Sequence, residues 1–173
     1  MRAEYKPLPP WSPPAREQPS PEFHGETTTA VIHEAVGRAL SMWEHVESVL
    51  IKLFQLLCET ESLAAPRAYG TPTSAHARQS ALIYAAEEFF ARRDTQDQEL
   101  VLGYSKAYVA ASAYRNQIAH GMAMQPHEFG CFLCPPSYAG RRRETPYPTQ
   151  QWAFGAKYFY RVQEIDRIRD RFE

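Results

Sequence analysis

Between Thr27 and Cys58, apolar residues Val31, Ala35, Ala39, Met42, Val46, Val49, Leu53 and Leu56 recur at steps of three and four. That spacing stacks side chains along one face of an α-helix and fits no strand, whose faces alternate every second residue. Any of Thr27, Thr28 or Thr29 can accept the first free amides as a helix cap. Trp43, Leu50, Phe54 and Leu57 widen the apolar stripe, which suits a helix that touches more than one neighbour. A long amphipathic helix of this kind buries its stripe only against other helices or a sheet, and the rest of the chain reads mostly as helix.

Gly70, Pro72 and Ser74 punctuate a loop, after which residues 75–93 read as a helix with Leu82, Ile83, Ala86, Phe89 and Phe90 facing inward. A further helix is expected from about Thr95 to Ala119. A closing amphipathic helix is expected from Val162 to Phe172 on the spacing of Ile165, Ile168 and Phe172. Between Gly121 and Trp152 the pattern breaks. The apolar run Phe129 to Leu133, with residues 153–160, forms either a β-hairpin or an irregular flap. The expected fold is therefore all-α: a four-helix up-and-down bundle with a short irregular or hairpin insertion before the last helix. Residues 1–25 carry Pro7, Pro9, Pro10, Pro13, Pro14, Pro19 and Pro21, half of the 14 prolines. Proline lacks an amide donor and fixes φ, so this stretch reads as an extended or disordered arm with Trp11 and Phe23 as docking points, ahead of one helical domain over residues 26–173.

At 173 residues with 44% hydrophobic content the chain is sized for one domain with a real core. Nineteen basic against 20 acidic residues give a net charge of −1, so any nucleic-acid contact has to be a local basic patch. No apolar run approaches the ~20 residues of a membrane span and the N-terminus has no apolar signal core, so a soluble, cytoplasmic protein is expected, with no membrane association. Cys58, Cys131 and Cys134 are too few and odd in number for a disulfide framework. His127, Cys131 and Cys134 have the spacing of three zinc ligands but lack a fourth, so no metal and no cofactor is expected. There is no internal repeat, no phosphate-cradling glycine loop, and no paired-carboxylate or Ser-His-Asp pattern.

The chemistry-bearing stretch is Arg115-Asn116-Gln117-Ile118-Ala119-His120-Gly121, at the foot of the third expected helix. Arginine is a permanently charged fork donor and histidine titrates near neutrality, the two properties that metal-free phosphodiester cleavage needs. At about 3.6 residues per turn, Asn116 and His120 stack on one face while Arg115 lies roughly 140° round from His120. One helix cannot clamp both groups on a substrate. A second copy packed antiparallel can bring two sets into one cleft. Gly121 stands where a left-handed cap residue belongs, and the negative end of the helix dipole favours protonated His120. A purely structural role is also open: Arg115 paired with Glu34 or Glu44, Asn116 bonded to backbone, and His120 as a helix-end residue.

The pattern Arg-Asn-x-x-Ala-His-Gly closing a long helix resembles the HEPN superfamily, helical proteins that include metal-independent ribonucleases and carry an arginine, a polar residue and a histidine in this arrangement. The resemblance implies a role for Arg115 in gripping the scissile phosphate, for His120 as general acid or base, and for Asn116 in orienting either. It implies RNA as substrate, products with 2′,3′-cyclic phosphate and 5′-hydroxyl ends, a homodimer with a shared site, and a toxin or stress-defence role with an antitoxin or regulatory protein as partner. Arg141, Arg142 and Arg143, the densest positive run, are candidate RNA contacts, or else a solvated loop. Toxins of this superfamily that are silenced by a nucleotidyltransferase have a tyrosine two residues after the histidine. Met122 stands there instead, which speaks against that form of control. The alternative is a catalytically silent HEPN-like dimer that binds a protein or nucleotide.

Overall fold

The computed structural model describes residues 19–91, 93, 97–135 and 158–172. They are mainly helical: α1 (Thr29–Leu57), α2 (Ala64–Gly70), α3 (Ala75–Phe90), α4 (Gln98–His120), a hairpin of β1 (Met122–His127) and β2 (Gly130–Cys134), and α5 (Val162–Arg169). Among the described residues the helices number five rather than four, and the insertion before the last helix contains a two-stranded antiparallel hairpin. No helix among the described residues is long and apolar enough to cross a membrane. Two compact units are distinguished, one of residues 44–113 and one of residues 19–43 with 114–172.

The periodicity of α1 is helical as expected, and Ala35 and Ala39 of the expected stripe are buried, but elsewhere burial moves by one residue. Ile32, Ala35, Ala39, Trp43, Leu50 and Leu57 are buried, whereas Val49 and Leu56 keep 63% and 64% of their surface exposed. Trp43, Leu50 and Leu57, expected only to widen the stripe, are thus part of its buried centre, while Phe54 is half-buried.

In the unit of residues 44–113 the buried side chains include Leu50, Leu57, Leu82, Ala86, Phe90, Val101 and Tyr108. Ser74 caps α3, its hydroxyl accepting from the Ala77 amide at 3.2 Å. The short α2 is anchored by Tyr69, which is fully buried and packs its ring 5.1 Å from that of Phe54. Polar groups share this interior. Arg78 pairs with Glu47 at 2.8 Å and donates through Nε to the Pro72 carbonyl at 2.9 Å, and the Tyr108 hydroxyl donates to Glu47 at 3.0 Å.

The unit of residues 19–43 and 114–172 is built round the hairpin. Met122 pairs with Cys134, Ala123 with Leu133 and Met124 with Phe132, and the register slips before His127 pairs with Gly130. The apolar run Phe129 to Leu133 therefore does enter a hairpin, but its main partner is residues 122–127. The later segment joins by a single bridge, Leu133 to Tyr160, on the opposite edge of β2. On that same edge Glu26 exchanges two backbone bonds of 2.8 Å with Cys131, and the Gly25 amide donates to the Phe129 carbonyl at 2.7 Å. The end of the proline-rich stretch at Gly25, with Glu26 after it, is thus bonded to the hairpin. Gly130 takes φ +104°, and a Cβ there would come within 2.9 Å of Glu26 O, so both conformation and space require glycine.

Phe23, one of the two expected docking residues, stacks on Phe132 at 5.5 Å and joins Cys134 and Phe159 in an aromatic core; Trp11 lies outside the described residues. Trp43 meets Phe172 edge-on at 5.1 Å. Arg161 lies 4.4 Å over the Phe23 ring and holds buried Glu164 through Nη2 at 2.7 Å and Nε at 3.0 Å, while its own amide donates to the same carboxylate. Burial works to raise the Glu164 carboxyl, but these Arg161 bonds outweigh it and the group ends below its ordinary value.

Candidate functional site

Helix α4 carries the motif to its last residue, His120. Ile118 is fully buried, and Arg115, one turn earlier on that face, is half-buried. Asn116 and His120, one turn apart, are both exposed. The Arg115 guanidinium reaches toward this exposed face, its Nη1 donating to the Asn116 side-chain carbonyl at 3.3 Å. Its Nε is buried and has no hydrogen-bond partner. The structure thus brings Arg115 and Asn116 together and leaves His120 open to solvent beside them, with no hydrogen bond of its own among the described residues.

Neither Glu34 nor Glu44 pairs with Arg115. Glu34 pairs with Arg38 at 2.6 Å, and among the described residues no carboxylate pairs with Arg115. The guanidinium is only half-buried and arginine offers five N–H groups in a fixed fork, so its Nη groups retain donor capacity for an anion even though Nε is enclosed.

Gly121 does not take the left-handed conformation expected of it; among the described glycines only Gly130 has a positive φ. Its reason is close packing. A Cβ at Gly121 would lie 2.6 Å from Leu133 Cγ and 3.0 Å from the Gln117 carbonyl oxygen.

Gln117, Tyr158 and Tyr160 form a cluster under the motif that the sequence reading did not identify. The Tyr158 hydroxyl donates to the Gln117 backbone carbonyl at 3.0 Å, and the Tyr160 hydroxyl donates to Gln117 Oε1 at 2.6 Å. The two rings stack at 4.4 Å and 17°. Burial, with smaller contributions from Tyr114 and Glu164, pushes the Tyr160 hydroxyl up to about 12, and burial raises Tyr158 as well. Both therefore remain protonated donors at neutral pH. A Tyr-x-Tyr alternation ahead of the last helix was visible, but nothing local linked it to Gln117.

Arg141, Arg142 and Arg143 lie outside the described residues. Cys131 and Cys134 are buried in β2 and not beside a turn, and burial pushes the Cys134 thiol up to about 12. The His127 side chain lies outside the described groups, and among the described residues no cluster of three or more His, Cys, Asp or Glu gathers. No protein-family model, no curated protein and no solved structure matches the chain.

Proposed function

We propose that this protein is a HEPN-type endoribonuclease that cleaves RNA without a metal and works as a homodimer, with α1, α3, α4 and α5 as the four helices of that family's up-and-down bundle. The observation that carries this reading is the pairing of an un-neutralised Arg115, bonded to Asn116, with an exposed His120 one turn away. His120 removes the ribose 2′-hydroxyl proton or protonates the leaving 5′-oxygen. Arg115 holds the phosphate with two parallel donors and stabilises the charge that develops on it, and Asn116 orients that fork. Two copies supply two such sets to one cleft, and Arg141, Arg142 and Arg143 add phosphate contacts. A toxin or stress-defence role follows for such an activity, restrained by a protein partner other than one that modifies a tyrosine at position 122.

The test is incubation of wild type and His120→Ala with mixed RNA in chelator, with end analysis of the products. Wild type should leave 2′,3′-cyclic phosphate ends, and His120→Ala should be slower by about 10²- to 10⁴-fold. A net charge of −1 favours a second reading, a catalytically silent dimer that binds a protein or nucleotide. A wild type inert toward every RNA tried would establish that reading instead, and a strictly monomeric mass by light scattering would remove the shared site.

A further inference from the structure

We propose that Tyr158 and Tyr160 are positioning residues for His120, acting through Gln117; the inference rests on the reading of His120 as the acid-base group. The last carbonyls of a helix lose their intrahelical donors and need others. At the end of α4 the Gly121 amide turns to the Ile118 carbonyl at 3.4 Å, one residue short of helical register. The Gln117 carbonyl takes the Tyr158 hydroxyl instead. Gln117 precedes His120 by three residues and is its neighbour on the helix surface.

Tyr160 holds the same residue by its side chain and is itself fixed. It exchanges two backbone bonds with Leu133, at 2.8 and 2.9 Å, and the Leu133 side chain lies against Gly121. The last turn is therefore gripped at three points: main chain by Tyr158, side chain by Tyr160, and Cα of Gly121 by Leu133. The His120 side chain makes no hydrogen bond among the described residues, so its place is set by the backbone beneath it. The stacked rings make the two hydroxyls act as one clamp.

Amide hydrogen exchange on the full chain tests this directly. Tyr158→Phe and Tyr160→Phe keep the rings and remove only the donors, so exchange at residues 118–121 should accelerate roughly two- to tenfold, the value of one hydrogen bond. Amides round Ile32 and Ala35 should not change. Gln117→Leu should reproduce Tyr160→Phe, and combining the two should add little, because they break the same bond. In RNA assays kcat should fall with KM unchanged, and Tyr158→Phe in a His120→Ala background should cost nothing further. Unchanged exchange in the last turn, or acceleration spread evenly over residues 19–43 and 114–135, overturns the proposal. So does faster exchange with wild-type kcat. The exchange measurement uses no RNA, so an inert wild type would sink the ribonuclease reading while the clamp stood or fell on its own data.

Discussion

Arg78 and Arg115 are both partly buried arginines on helices, one in each unit, and they are treated oppositely. Arg78 is saturated: Glu47 at 2.8 Å neutralises it, the Pro72 carbonyl takes its Nε, and Tyr108 adds a hydroxyl to the same carboxylate. Arg115 has an amide oxygen at 3.3 Å and a buried Nε with nothing bonded to it. Taking a guanidinium out of water without a counter-charge is costly, so a structural arginine is found paired. On the proposed function, the difference separates an arginine that serves the fold from one left without a counter-charge for a phosphate to supply.

The largest effect should come from breaking the saturated site. Glu47→Gln leaves Arg78 without its counter-charge and should cost about 3 kcal/mol, the lower end of the range for a buried pair because the Arg78 side chain keeps 24% exposure. Arg115→Ala should cost about 1 kcal/mol or less, since no ion pair is lost. Denaturant unfolding of the two variants makes the comparison; equal losses would erase it.

Gly121→Ala should cost about 1–3 kcal/mol, because the added methyl overpacks against Leu133. A stability equal to wild type would show that β2 yields there, and would weaken the grip on the last turn of α4.

Alkaline titration reaches into both units. Tyr108, raised by burial and then by Glu47, and Tyr160, raised chiefly by burial, both stand at about 12 against an ordinary 10.0. A raised pKa favours the neutral form in the folded state. Its stabilisation is full below pH 10 and is lost as pH climbs through about 12. Tyr108→Phe and Tyr160→Phe should each flatten that alkaline loss, in melts followed with tyrosinate absorbance. Glu164 runs the other way: its carboxyl is lowered, so its contribution is present above the ordinary 4.5 and is lost as pH falls through the folded value. Glu164→Gln should remove this part of the acid-side slope. Acid-side slopes identical in variant and wild type would contradict the Arg161–Glu164 account.

What the sequence made legible was whatever depends on near neighbours. The extent of α1, the start of α3 at Ala75 and the placement of Arg115, Asn116 and His120 at a helix end all follow from spacing within a few residues. Helix α2 escaped because seven residues are too few for a periodic signal, and Tyr69 fixes it by contact with distant chain. Apart from Ala35 and Ala39, the stripe of α1 was displaced by one residue because apolar residues occupy both adjacent rows, and only packing decides which row is buried. The clamp on Gln117 joins residues 41 and 43 positions apart, beyond any local pattern. Gly121 was placed correctly for the wrong reason: Leu133, and not a left-handed φ, excludes a side chain.

The central claim is that Arg115 is held open for a phosphate, and the rate of RNA cleavage by Arg115→Lys in chelator tests it most directly. Lysine keeps the charge but loses the planar fork. The account predicts a loss of at least about 10²-fold against wild type, from a variant that melts with wild type. A folded Arg115→Lys that cleaves at the wild-type rate would contradict it.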